Sequence, residues 1–279
     1  MRAALCVPKA YEAAAPAGAA NDAYGEVMVG GLNTICLSRA GLARLMLQDC
    51  LRARDDAQLP AKLVFASNGQ TIALAARDRF FGDLLAQADI IHADGQATVF
   101  ASHLTATPIP ERSATTDFIH DACRTAAEHG LRFFLLGSTE EANHEAARRL
   151  CEAYPGLKIV GRRHGYFSRD EEDEICDQIN LTRPDVIWVG LSAPREYEFS
   201  VRNKARLSCG WLVTCGGCYH FVTGAYKRAP RWMQQSGLEW LFRLIQEPRR
   251  LFWRYAATNP LAAFLLLTRT GARPTARVA

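Results

Sequence analysis

One stretch decides the fold class: Leu131-Arg-Phe-Phe-Leu-Leu136, which Gly137 separates from Ser138-Thr-Glu-Glu141. A short apolar run that ends at a glycine is typical of a buried strand. A hydroxyl side chain followed three residues later by glutamate forms a capping box, so Ser138 is expected to open a helix. A strand that leads straight into a helix is the first half of a βαβ unit, which joins parallel strands.

The same alternation of apolar runs and amphipathic segments recurs along most of the chain. Thr116–Glu128 is the clearest predicted helix, because Phe118, Ile119 and Ala122 share one face at helical spacing. Strands separated by helices of about 10–15 residues predict βαβ units. We therefore expect an α/β fold, a Rossmann-like parallel sheet with helices on both faces. The predicted strands cover residues 63–67, 89–93, 131–136, 158–161, 186–190 and 211–214.

Composition and charge divide the chain into three parts. Its 279 residues are 49% hydrophobic and 22% charged, which excludes a disordered chain and a disulfide-stapled mini-protein. Residues 1–225 carry 23 Lys and Arg against 27 Asp and Glu, a net charge of −4, whereas residues 226–279 carry 10 against 2, a net charge of +8. We expect a flexible N-terminal arm over residues 1–25, a Rossmann-like domain over 26–224 and a helical appendage over 225–279.

The appendage is basic and rich in aromatic residues. Trp240, Leu241, Leu244 and Ile245 follow helical spacing, and Trp and Phe interleave with Arg as far as Arg254. This composition is typical of a helix that lies in a membrane interface. One alternative is a helical pair packed on the body with an Arg-rich outer face. A second alternative, a basic nucleic-acid binder, rests on the charge alone.

Polar residues follow two of the predicted strands at the point where each strand ends. Ligands of a parallel sheet bind beyond the carboxyl ends of its strands. Asp94 follows a strand directly and precedes Gly95, which suits a general base, although an Asp that only stabilises a turn has the same pattern. Asn68 has the equivalent position after the preceding strand, with the same alternative.

Several common ligand sites lack their motifs. The chain has no GxGxxG after a strand and no GxxxxGK[ST], which counts against a standard dinucleotide site and a P-loop. A zinc site is disfavoured because one CxxC lacks the second pair that a zinc ribbon needs. We therefore expect no metal at the compressed cluster of Cys209, Cys215, Cys218 and His220.

Further motifs run through the chain in a recognisable order. Ala93-Asp-Gly95, Tyr154–Gly161 and Gly165-Tyr-Phe167 lie in the body, and the densest run extends from Gly216-Gly217 to Gln246-Glu-Pro-Arg-Arg250. Together these segments resemble the WecG/TagA/CpsF glycosyltransferases, glycosyltransferase family 26. The resemblance implies a Rossmann-like catalytic domain and a C-terminal appendage that associates with the membrane, and we expect no cofactor.

The resemblance also implies an activity and its partners. The activity is inverting transfer of a hexose from a UDP-sugar to a sugar linked by pyrophosphate to undecaprenol, in bacterial surface polysaccharide synthesis. The partners are the UDP-sugar donor, the polyprenyl-pyrophosphate-linked acceptor and an anionic membrane surface, with no nucleic acid. The protein would be cytoplasmic and peripheral on the inner face of the cell membrane, and a homo-oligomer is left open.

The same resemblance implies roles for individual residues. Asp94 matches the family's proposed catalytic base, Asn68 matches an Asn after the preceding strand, and Arg112 matches an active-site Arg. Arginines of the family's appendage that close over the pyrophosphate match Arg243 and Arg250 by position. These five residues form the core of the predicted site.

Three segments around the expected donor site depart from the usual family pattern. The family has Thr-Pro-Asn, Pro-x-Gln-Glu and Phe-Asp-Phe where this chain has Ala66-Ser-Asn68, Pro194-Arg-Glu-Tyr197 and Tyr219-His-Phe221. We therefore expect Glu196 and His220 to bind substrate with altered charge and hydrogen-bond type. These changes leave the donor open between a glucose-type and an N-acetylmannosamine-type sugar. They also leave open a non-catalytic sugar-nucleotide or lipid-binding paralogue.

Overall fold

The computed structural model describes residues 24–271, in which eight strands and twelve α-helices follow one another. The strands are β1 (Glu26–Val29), β2 (Leu32–Ile35), β3 (Lys62–Ser67), β4 (Ile90–Ala93), β5 (Arg132–Gly137), β6 (Lys158–Arg163), β7 (Val186–Gly190) and β8 (Trp211–Thr214). The helices are α1 (Arg39–Asp55), α2 (Gly69–Arg77), α3 (Arg79–Leu85), α4 (Gln96–Ser102), α5 (Thr115–His129), α6 (Glu140–Ala153), α7 (Glu172–Leu181), α8 (Arg195–Asn203), α9 (Cys218–Val222), α10 (Arg231–Gln235), α11 (Glu239–Gln246) and α12 (Pro248–Thr268).

Six of the strands form one parallel sheet in the spatial order β4-β3-β8-β7-β5-β6. All six were predicted from the sequence, with ends that shift by at most two residues. Because every strand runs in the same direction, the carboxyl ends of β3, β4, β5, β7 and β8 lie at one edge of the sheet. The prediction of an α/β fold with a Rossmann-like parallel sheet is confirmed.

Helices cover the sheet on both faces, and successive side chains of β7 pack against the helices of opposite faces. Trp188 packs on one face with Phe118 of α5 and Met46 of α1, and Ile187 packs on the other with Phe199 of α8. All of these side chains are almost fully excluded from water. The continuous apolar sequence of the strands follows from this two-sided burial.

A small antiparallel hairpin, β1–β2, was not predicted. Its turn is Gly30–Gly31, whose φ angles of +61° and +88° suit glycine at both central positions of a tight hairpin turn. Val29 packs there with Val99 of α4 and Leu265 of α12 in a third apolar cluster. The predicted N-terminal arm lies, over residues 1–23, outside the part of the chain that the structure describes.

The appendage is helical, and its last helix is fastened to the body. The N–H of Gly31 donates to the Arg269 carbonyl at 3.1 Å, and the N–H of Gly271 donates to the Met28 carbonyl at 3.0 Å. Leu265 and Leu266 of α12 are buried, whereas α11 has no fully buried residue. No helix within residues 24–271 is long and apolar enough to cross a bilayer.

Candidate active site

Asn68 and Asp94 meet at the ends of the neighbouring strands β3 and β4. Asn68 caps α2, where its Oδ1 accepts from the N–H groups of Gln70 at 3.0 Å and Thr71 at 3.1 Å. Because the cap holds the amide oxygen, the amide nitrogen is directed to Asp94 and donates to its Oδ2 at 3.1 Å. The helix cap therefore fixes the side chain that orients the carboxylate.

Asp94 is half-buried and charged. Its Oδ1 accepts from the Thr115 N–H at the start of α5 at 2.8 Å, and its carbonyl accepts from Arg112 Nε at 2.6 Å. Burial raises the pKa of this carboxyl, but the Arg112 charge and the Thr115 hydrogen bond outweigh it and the pKa lies below its ordinary value. Asp94 is thus ionised at neutral pH at the edge where ligands of such sheets bind.

The appendage is linked to the surroundings of Asp94 through a series of charged side chains. Arg112 Nη1 lies 2.7 Å from Glu239 Oε2, at the first residue of α11. Arg228 Nε lies 3.2 Å from Glu239 Oε1, and Arg228 Nη2 lies 3.1 Å from Asp117 Oδ2. Arg112 therefore links the proposed base to the appendage.

Glu196 lies at the same edge of the sheet but in a different environment. It is only 5% exposed, and its Oε2 accepts from the Gly216 N–H after β8 at 2.8 Å. Burial raises the pKa of Glu196 to about 8, against the lowering effect of the Gly216 and Ser192 N–H groups. This carboxyl carries a proton over much of the neutral range.

Ser138 and His220 form a third contact at this edge. Ser138 Oγ lies 3.2 Å from His220 Nε2, and the Ser138 backbone has a positive φ of 60°. Burial and the charge of Arg250 lower the pKa of His220, so its imidazole is neutral at pH 7. The prediction that Ser138 caps the following helix is wrong: Thr139 caps α6, and its hydroxyl accepts from the Ala142 N–H at 3.2 Å.

Arg243 and Arg250 lie on the His220 side of the site. The Arg243 guanidinium lies 5.6 Å from the centroid of the Phe221 ring, and that of Arg250 lies 5.9 Å from the Tyr226 ring. Arg250 also pairs with Glu247 at 2.5 Å. Within residues 24–271, neither arginine forms an ion pair or hydrogen bond with Asp94.

The structure brings the predicted residues together in two groups. Asn68, Asp94 and Arg112 are in direct contact, and His220 lies near Arg250, whereas the Glu196 carboxyl accepts hydrogen bonds from backbone N–H groups. Within the described residues, no cluster of His, Cys, Asp and Glu is suited to hold a metal ion. Sequence reasoning missed three contributors to the site: Thr115, Arg228 and Glu239.

A local signal existed for only one of these three. Thr115 stands directly before the predicted helix at Thr116, where a free N–H is expected. Glu239 meets Arg112 across 127 positions of sequence, and no spacing rule spans that distance. Arg228 belongs to the same long-range cluster.

Comparison with known proteins identifies the family of this chain. The model of the glycosyl transferase WecG/TagA/CpsF family matches residues 27–276. A Bacillus subtilis (strain 168) relative is 29% identical over 205 residues, which cover 73% of this chain and 78% of the relative. A Staphylococcus aureus (strain MRSA252) relative is 27% identical over 188 residues, 67% of this chain and 73% of the relative. Both are named N-acetylglucosaminyldiphosphoundecaprenol N-acetyl-beta-D-mannosaminyltransferase. The chain belongs to the glycosyl transferase WecG/TagA/CpsF family and is a glycosyltransferase.

Proposed function

We propose that this glycosyltransferase moves N-acetylmannosamine from its UDP-sugar to N-acetylglucosaminyl-diphospho-undecaprenol, with Asp94 as the general base. The names of the two relatives support this sugar and this acceptor, and they give no support to glucose or to a non-catalytic paralogue. The observation that carries the proposal is the ionised Asp94, held by Asn68, Thr115 and Arg112 at the ligand-binding edge of the sheet.

Asp94 performs one step in this reaction. Its carboxylate takes the proton from the acceptor hydroxyl as that oxygen forms a bond to the anomeric carbon of the donor. The bond from the anomeric carbon to the UDP oxygen breaks on the opposite face, and UDP leaves with the electron pair. The anomeric configuration therefore inverts, and the proton ends on Asp94.

The leaving diphosphate needs positive charge and N–H donors. The turns after β5 and β7 lead into α6 and α8, and the positive dipole end at the N-terminus of a helix favours a phosphate group. Gly137 and Gly190 bring these two turns close together, because a Cβ on Gly137 would lie 2.2 Å from the Gly190 carbonyl oxygen. Arg243 and Arg250 lie on this side of the site and add guanidinium groups suited to a diphosphate.

A membrane-bound acceptor calls for a membrane-facing surface on the enzyme. Trp232, Phe252 and Trp253 are more than half exposed on the appendage, which also carries the exposed Arg249. Exposed indole and phenyl rings between arginines suit the interface of an anionic membrane. We infer that residues 225–279 form an appendage that docks a Rossmann-like domain of residues 26–224 on the inner face of the cell membrane.

The substrate assignment is tested by a donor screen on the wild-type protein. UDP-N-acetylmannosamine and UDP-glucose are each offered with a short-chain N-acetylglucosaminyl-diphosphate lipid, and the product is weighed by mass spectrometry. We expect the mass of one added N-acetylhexosamine and no product with UDP-glucose. A hexose product overturns the sugar assignment, and UDP binding without any product favours the non-catalytic paralogue.

Membrane docking is tested by flotation with vesicles that contain phosphatidylglycerol. Trp253, 76% exposed, is replaced by alanine, and Leu181, 83% exposed on α7 of the body, is replaced as the matched control. We expect Trp253→Ala to weaken vesicle binding severalfold and Leu181→Ala to leave it unchanged. Equal effects would reject the docking surface. Truncation after Gly224 is a poorer test, because it uncovers the apolar cluster that holds β1 and β2.

A further inference from the structure

Glu239 lies between two arginines in a position that a phosphate group could take. Its two carboxylate oxygens face Arg112 Nη1 at 2.7 Å and Arg228 Nε at 3.2 Å. The side chains of Glu239, Arg112 and Arg228 are 14%, 17% and 23% exposed, so the cluster is largely enclosed. Arg112 also donates to the carbonyl of Asp94, which places the cluster beside the proposed base.

Glu239 completes the charge balance of the ion-pair network to which this cluster belongs. Asp94, Asp117 and Glu239 carry three negative charges against the two positive charges of Arg112 and Arg228. The ion pairs further outward add Arg39 and Arg124 against Asp121, so the whole network holds four charges of each sign. A dianionic ligand added to this balanced network would create a surplus of negative charge, so it competes with the Glu239 carboxylate for the two guanidinium groups.

We propose that Arg112 and Arg228 form a binding site for a substrate diphosphate, and that Glu239 occupies this site while the appendage is closed. The proposal rests on the proposed function, which supplies a diphosphate in both substrates. The planar donor fork of a guanidinium group matches two oxygens of a phosphate, and here two such groups flank one anion. Glu239 is then a competitor built into the chain, and Arg228 is a binding residue of the appendage.

The fold allows Glu239 to leave without unfolding the appendage. Glu239 is the first residue of α11, a helix with no fully buried side chain. The next helix, α12, keeps Leu265 and Leu266 in the apolar cluster with Val29. The carboxylate can therefore be displaced by a shift of α11 while Leu265 and Leu266 keep α12 on the body, and diphosphate binding is coupled to that shift.

The site is tested by titration of the full chain with inorganic pyrophosphate in a calorimeter. Glu239→Gln removes the competing charge, and Glu145→Gln is the matched control, because Glu145 bridges Arg148 and Arg149 on the surface of α6. We expect Glu239→Gln to bind pyrophosphate at least about fivefold more tightly, the factor that corresponds to one modest ion pair, and Glu145→Gln to bind as wild type. Unchanged or weaker binding by Glu239→Gln overturns the proposal.

Two further variants guard the result against a folding defect. Arg228→Met is expected to weaken pyrophosphate binding at least about tenfold in both the wild-type and the Glu239→Gln background, since it removes one of two guanidinium groups. If Glu239→Gln does not fold, Glu239→Asp withdraws the carboxylate by one methylene, and tighter binding is again expected. Binding that is indifferent to Arg228 overturns the site.

Competition distinguishes the two sources of diphosphate. Displacement of pyrophosphate by UDP alone assigns the site to the donor, and displacement by the short-chain diphosphate lipid alone assigns it to the acceptor. Displacement by neither overturns the proposal, even where the transfer assay gives product. Conversely, tighter pyrophosphate binding by Glu239→Gln without any transfer product supports the anion site and rejects the proposed function.

Discussion

Asp94 and Glu196 are two carboxyl groups at one edge of one sheet, and their surroundings drive them to opposite protonation states. Burial raises the pKa of both. Asp94 has Arg112 beside it and donors on both oxygens, so its pKa falls below the ordinary value. For Glu196, burial and the negative charge of Asp94 outweigh the lowering effect of the backbone N–H groups, so its pKa rises to about 8.

The difference shows that a neighbouring full charge can offset the increase in pKa that burial causes, whereas backbone dipoles alone do not. Of the two groups, only Asp94 is ready to accept a proton at neutral pH, whereas Glu196 can still donate one. The regions around the two groups also differ in what forms them. Side chains from distant segments hold Asp94, and the turns around Glu196 are formed by backbone at Gly137, Gly190 and Gly216.

The largest expected effect concerns Glu196→Gln and the pH dependence of stability. Between pH 4.5 and about 8 the folded protein keeps a proton on Glu196 that the unfolded chain releases, so the free energy of unfolding falls as pH rises across that window. The pKa shift corresponds to at most about 5 kcal/mol. We expect Glu196→Gln to remove this slope, so that thermal melts show a gain in Tm relative to wild type at pH 8.5 and a much smaller one near pH 4.5.

Asp94 supplies the contrast for that experiment. Its folded pKa lies below the ordinary 3.8, so its contribution to stability is present above that pH and is lost as pH falls through the folded pKa. Melts of Asp94→Asn should therefore differ from wild type at neutral pH and converge with it in acid. Identical pH profiles for the two variants would contradict the comparison.

The next effect tests the turns around Glu196, which are formed by backbone. Gly137 has φ +122°, and a Cβ there would lie 2.2 Å from the Gly190 carbonyl oxygen, so Gly137→Ala is expected to cost about 3 kcal/mol in the free energy of unfolding. Gly156→Ala is the control, because Gly156 has φ +94° but its nearest contact to a Cβ is 3.4 Å. Urea melts that give equal losses for both would show that the close approach of the two turns is unimportant.

The smallest effect tests the side chains that hold Asp94. Asn68→Ala removes the cap of α2 and the hydrogen bond to Asp94, and we expect a loss of about 1 kcal/mol in stability together with reduced turnover. Asp78→Ala removes the cap of α3, which has no contact with Asp94, and should lower stability with normal turnover. Equal turnover in the two variants would separate Asn68 from the chemistry.

Local patterns were enough for the sheet and for the residues that follow its strands. The six strands are continuous apolar runs, and Asn68 and Asp94 stand directly after two of them. The β1–β2 hairpin had a signal in Gly30–Gly31 between apolar residues, but its strands have four residues each and little periodicity. The pairing of Glu239 with Arg112 had none, because it depends on where α11 lies against the loop that carries Arg112.

The most direct test of Asp94 as the base is the single-turnover rate of Asp94→Asn with saturating UDP-N-acetylmannosamine and short-chain lipid acceptor. UDP affinity, measured on the same preparation, serves as the control for folding and donor binding. We predict that UDP binds as it does to wild type and that the transfer rate falls by about 10²- to 10⁴-fold, the usual contribution of a general base. A rate within tenfold of wild type would contradict the assignment of Asp94 as the group that takes the acceptor proton.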